Sequence, residues 1–181
     1  MSALSRFAYF SEGPKGAAAG GMTIEPLLGV NDKDKALGFW TDANGNAHGF
    51  TYDTGSKSFI EVDIKGHMGT TTTAINNKGD IAGFVKDNGV DQGFIKDGNK
   101  VELLKGPKGS VMALGINNED QAVGSFTDAA GQAHRFLFDD RLHQYAVIND
   151  PNGVKGQLAG FFLDKAGNTD GMLVQISTHH S

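Results

Sequence analysis

One phrase occurs four times in this chain, and its spacing constrains the fold more than any other feature. Val30-Asn31 leads to Gly38-Phe39-Trp40-Thr41-Asp42, Ile75-Asn76 to Gly83-Phe84-Val85-Lys86-Asp87, Ile116-Asn117 to Gly124-Ser125-Phe126-Thr127-Asp128, and Ile148-Asn149 to Gly160-Phe161-Phe162-Leu163-Asp164. A period of roughly forty residues is that of one supersecondary unit repeated about or along an axis.

Within each copy the turn chemistry predicts hairpins. Asn77-Lys78-Gly79-Asp80 precedes the apolar run Ile81-Ala82-Gly83-Phe84-Val85, and Asp87-Asn88-Gly89 follows it. Asp and Asn accept hydrogen bonds from nearby backbone N–H groups and Gly supplies positive φ, so both joints are tight antiparallel turns. A third strand at Phe50, Phe94, Phe136 or Met172 and a fourth at Phe59–Asp63 or Lys100–Leu104 complete a four-stranded antiparallel meander.

The chain is therefore expected to be all-β, a small β-propeller of four blade-like four-stranded antiparallel repeats. The repeats fall at about residues 17–64, 70–105, 110–144 and 145–176 of a single domain, 1–181. An N-terminal closing strand at residues 6–10, Arg6-Phe7-Ala8-Tyr9-Phe10, is expected to pair with the C-terminal strand Gly171–Ile176 and close the ring. The glycine step shortens from 45 to 41 to 36 residues between Gly38, Gly83, Gly124 and Gly160, which leaves material missing between Phe136 and Gly160. The preferred alignment makes Tyr145–Asn149 the first strand of the last repeat.

Composition narrows the partners. The 16 basic residues are scattered against 21 acidic ones, so no electrostatic footprint for nucleic acid or an acidic membrane is expected. No apolar run is long enough to span a bilayer, and Met1–Arg6 lacks a secretory h-region; a soluble chain follows, cytoplasmic or secreted in mature form. Without cysteine there are no disulfides, thiolate nucleophiles or cysteine metal sites. Asp42-x-Asn44-x-Asn46 has the opening of a calcium loop but Ala47 where glycine is needed. No metal and no cofactor are expected.

The run Gly115-Ile116-Asn117-Asn118, Ala122-Val123-Gly124-Ser125-Phe126 and Gly131-Gln132-Ala133-His134-Arg135-Phe136-Leu137 resembles the bacterial repeats called HAF or probable extracellular repeats. Those carry Gly-Ile-Asn, Val-Gly and Gly-x-x-His-Ala-Phe-Leu. The resemblance covers residues 28 to 176 and implies a propeller-like fold without implying an activity. The chain departs from that pattern by keeping the histidine in two copies only, as His48 and His134, followed by Gly49 and Arg135.

Residues that recur in register are explained by the repeat, which directs attention to those that do not. Trp40 is the only tryptophan, His67 stands where two other linkers carry Pro14 and Pro107, and Arg135 replaces a glycine. With Asn44, His48 and His134 they form the candidate ligand-binding set at the mouth of the ring or its loop face, suited to a small molecule or glycan. The alternative is a cofactor-free isomerase, cyclase or lyase with His67, His48 or His134 as general acid or base and Arg135 stabilising negative charge. A protein-interaction scaffold is the second alternative.

Overall fold

The computed structural model describes residues 27–106 and 109–148, together with the backbone of strands at 23–24, 157–163 and 169–175. All the regular structure among the described residues is β. The first sheet comprises β1 (Thr23–Ile24), β2 (Gly29–Val30), β3 (Lys35–Thr41), β4 (Ala47–Asp53) and β5 (Ser58–Glu61). Here β1 and β2 lie along the two ends of β3, pairing Ile24 with Trp40 and Gly29 with Leu37, so together they occupy the place of one interrupted strand. The second sheet runs β6 (Gly69–Ile75), β7 (Ile81–Asp87), β8 (Val90–Asp97), β9 (Lys100–Leu103), and the third β10 (Val111–Ile116), β11 (Gln121–Thr127), β12 (Ala133–Asp139), β13 (Gln144–Val147). Both are antiparallel meanders in chain order. A hairpin of β14 (Gln157–Leu163) and β15 (Thr169–Gln175) follows.

Successive sheets stack through their first strands. Strand β6 lies across β3 and β4, and β10 across β7 and β8. Glycine makes this approach possible: a Cβ on Gly49 would sit 2.7 Å from Thr72 Cγ2 and 2.9 Å from the Val62 carbonyl oxygen. Leu37, Val62, Ile81, Val85 and Phe94 fill the first seam; Ala82, Leu104, Val111, Phe126, Phe136 and Phe138 fill the second. Both first strands carry a bulge at the same place, between Thr72 and Ala74 and between Ala113 and Gly115. At the first, Thr73 Oγ1 donates across the seam to the Ala113 carbonyl at 2.8 Å.

The repeated asparagine supplies the second tie. Asn31 Nδ2 donates to the Asn76 carbonyl at 2.9 Å, and Asn76 Nδ2 to the Asn117 carbonyl at 3.0 Å. Each amide oxygen meanwhile closes its own turn, as Asn76 Oδ1 does by accepting from Lys78, Gly79 and Asp80 N–H. One residue type thus caps a turn and relays to the next unit.

Two expectations change. Tyr145–Asn149 does not open a last repeat: β13 pairs with β12, Tyr145 opposite Phe138, and Ile148 N–H donates to the Arg135 carbonyl. That bond repeats Val62 to Gly49 and Leu104 to Gly93, which makes β13 the fourth strand of the third unit. Its alternating aromatic contacts, Tyr145 on Phe136 and Phe138, hold it there. A boundary at 144/145 therefore cuts through a paired strand. The described residues also give three four-stranded units and a two-stranded hairpin rather than four four-stranded blades, with no closed ring among them. The closing strand at 6–10 lies outside the described residues.

Candidate functional site

The second strand of each of the three full units ends at, or one residue before, an Asp, and every one of those carboxylates meets a histidine. In the first unit the turn Asp42-Ala43-Asn44-Gly45-Asn46 is closed by Asp42 Oδ1, which accepts from Asn44 and Asn46 N–H at 2.8 Å each, while Oδ2 takes Asn46 Nδ2 at 3.1 Å. Those donors, the Asn46 backbone N–H foremost, hold Asp42 far below the usual carboxylate range. Saturated in this way by its own turn, the carboxylate explains the Asp-x-Asn-x-Asn spacing without calcium. His48 Nε2 lies 3.5 Å from Asp42 Oδ2, and its Nδ1 is 2.7 Å from Asp63 Oδ2. Burial pulls the His48 pKa down, but the Asp63 hydrogen bond and the charges of Asp63 and Asp42 outweigh it and leave it raised. Glu61, sharing a hydrogen bond with Asp63, is raised as well.

The third unit repeats the design. Asp128 Oδ1 closes the turn by accepting from Ala130 and Gln132 N–H, and His134 Nε2 sits 2.9 Å from Oδ2, lowering Asp128. The second unit reaches the same pairing differently. Its β7–β8 turn is the two-residue Asn88-Gly89 with φ of 49° and 82°, a type I′ hairpin that offers Asp87 no turn amides. The carboxylate instead receives His67 Nδ1 at 2.5 Å and Met68 N–H at 3.3 Å, and His67 lowers its pKa. The histidine missing at Gln92 is thus supplied by the linker, a compensation visible in sequence only as one unit lacking His in the strand and having it just before.

These pairings place the sequence candidates. Trp40 is 7% exposed and stacked on His48, ring centroids 4.3 Å apart at 19°. His134 stacks on Phe126 in the same manner. Asn44 belongs to the Asp42 turn. Strand alternation puts Arg135, which is exposed, on the opposite face of β12 from His134. These three histidines are bound to three different turn carboxylates, so the structure unites Trp40, Asn44 and His48 and keeps His67, His134 and Arg135 in separate surroundings.

Sequence reasoning missed the cleft. About 300 Å³ of space opens between the β3–β4 turn, the start of β6 and the β7–β8 turn, lined by Asn46, Met68, Thr71, Phe84, Lys86 and Asn88. No repeat position marks it, because it is formed by three turns and strand ends that meet only when two units stack. It adjoins the Asp–His pairs of the first two units: Asn46 is bonded to Asp42, and Met68, Lys86 and Asn88 flank His67 and Asp87. No protein-family model matches this chain, and no curated protein sequence matches it significantly.

Proposed function

We propose that the chain binds a small polar ligand, a mono- or disaccharide-sized glycan or comparable metabolite, in the cleft between the first two units. The cleft carries this reading. Its volume lies at the lower end of small-molecule pockets, and its wall mixes the apolar Met68 and Phe84 with the amides of Asn46 and Asn88 and the ammonium of Lys86. Sugars present that same mixture of an apolar ring face and hydrogen-bonding edges. The reading takes the units as blades of a propeller of the HAF-like kind, closed through its terminal strands, with the cleft on the face where the second-to-third strand turns emerge.

Trp40 supplies the test. It contacts His48, His48 contacts Asp42, Asp42 holds Asn46, and Asn46 lines the cleft. A ligand engaging Asn46 should therefore change Trp40 emission. Screening glycans and polar metabolites by tryptophan fluorescence should give saturable binding that Asn46→Ala and Lys86→Ala each weaken about tenfold, a loss of about 1.4 kcal/mol. Binding that survives both substitutions, or no saturable ligand across the screen, overturns the assignment. The His67–Asp87 pair beside the cleft favours one second reading, an isomerase or lyase with His67 as general base. Turnover of a bound ligand abolished by His67→Gln with binding intact would select it.

A further inference from the structure

The third unit breaks the repeat again at its β12–β13 turn, at the opposite strand ends from the Asp–His pairs. Positive φ recurs in the corresponding turns at Lys57, Gly98 and His143, yet only the third places a metal-ligating side chain there. His143 Nδ1 lies 3.0 Å from Glu102 Oε1 of β9, in the neighbouring unit. Asp140, from the same turn, completes a set in which a ligand atom of each residue lies within 4.8 Å of the others.

Asp140 has an unmet need. Its Oδ1 is sealed from solvent and accepts no hydrogen bond from the described residues, its side chain is left to share a hydrogen bond with the carboxylate of Glu102, and the residue walls a cavity of about 190 Å³ shared with Asp80, Asp97 and Asp120. A carboxylate oxygen without water or donor is costly, and a second carboxylate beside it raises the cost. Burial and Glu102 accordingly push the Asp140 pKa up. The local cations offset this only in part: Lys78 is paired with Asp120 at 2.7 Å and Lys100 with Glu102 at 3.6 Å, and the charges of Lys100 and His143 lower the Asp140 pKa by less than burial and Glu102 raise it.

We propose that Glu102, Asp140 and His143 bind a divalent first-row transition-metal ion that ties the second unit to the third. Donors about 2.0–2.2 Å from one ion stand roughly 3 Å apart when adjacent in its shell. The Glu102–His143 separation matches that spacing, and Asp140 closes the set by a side-chain rotation that gives its orphan oxygen a partner. One imidazole with two carboxylates selects Mn²⁺ or Zn²⁺ over Ca²⁺ or Mg²⁺, which take oxygen only. The 62% exposure of His143 leaves an entry path.

The test titrates the full chain with Mn²⁺ alone, followed by calorimetry and electron paramagnetic resonance. One equivalent should bind, Zn²⁺ but not Ca²⁺ should displace it, and Asp140→Asn or Glu102→Gln should weaken it at least about tenfold. Pulsed spectra should show a nitrogen coupling that His143→Gln removes. Absence of saturable binding, affinity unchanged in both Asp140→Asn and His143→Gln, or a coupling lost instead with His48→Gln in the His48, Glu61 and Asp63 cluster would each overturn the proposal. Should Asp140→Asn fail to fold, the exposed His143 carries the test.

Discussion

Replacing Asn76 with alanine should destabilise the protein by about 3–4 kcal/mol, against about 1–2 kcal/mol for the same change at Asn117. Both are the repeat asparagine, and both amide oxygens close their own turn. They differ in what surrounds the amide nitrogen. Asn76 is 4% exposed, and its Nδ2 serves the buried Asp80 carboxylate at 2.8 Å and the Asn117 carbonyl at 3.0 Å. Alanine leaves both acceptors without a donor, each costing about 1–2 kcal/mol, and frees three turn amides of which water recovers part. Asn117 is exposed and donates to Gln121 Oε1, so water replaces what alanine removes. Asn31, 9% exposed with one bond across the seam, should fall between them. Urea unfolding followed by circular dichroism measures the three losses, and the Asn76 variant should lower Tm by roughly 10 °C for a chain of this size. Equal losses at Asn76 and Asn117 would refute the claim that the seam, rather than the turn, sets the cost.

Gly49→Ala should cost about 1–3 kcal/mol by forcing its new methyl group against Thr72 and the Val62 carbonyl, whereas Gly45→Ala, which meets open space at φ 84°, should cost only its turn strain. Thermal melts distinguish the two, and a milder Gly49 variant would contradict the packing. His48 should titrate above its ordinary value of 6.5. A raised folded pKa stabilises fully below the unfolded value and is lost as pH rises through the folded one, so Asp63→Asn should flatten the alkaline decline in stability. Proton NMR of His48 checks this. Asp42, Asp87 and Asp128 are lowered, so their contribution is present above about pH 3.8 and lost as pH falls through their folded values. His67→Ala should therefore reduce acid resistance, read as the pH midpoint of unfolding.

The units were legible in the sequence because they are local: an asparagine closing one turn, an aspartate or Asn-Gly closing the next, and alternating apolar residues between. Their order in each sheet follows from short turns alone. The Tyr145 strand was not legible, since Ile148-Asn149 repeats the phrase that elsewhere opens a unit while its neighbours pair backwards with β12. Register with a distant repeat cannot outweigh pairing with the adjacent strand. At the site, Trp40 and His48 were found by rarity and recurrence. The role of His67 was hidden because the shorter Asn88-Gly89 turn changes which donors Asp87 needs. No repeat position marks Asp140, which the approach of Glu102 from the neighbouring unit distinguishes.

The asparagine relay has a direction. Asn31 gives to Asn76 and Asn76 to Asn117, and the one bond returned among these described turns comes from the neighbouring Asn77 amide to the Asp32 carboxylate. The first and second units therefore each present an amide donor to the next, and the second and third a carbonyl acceptor to the one before, so the two sides of each seam are unlike. An inserted extra unit would be read correctly only if it kept the same polarity, which makes this asparagine a grammatical mark for duplication as much as a bond.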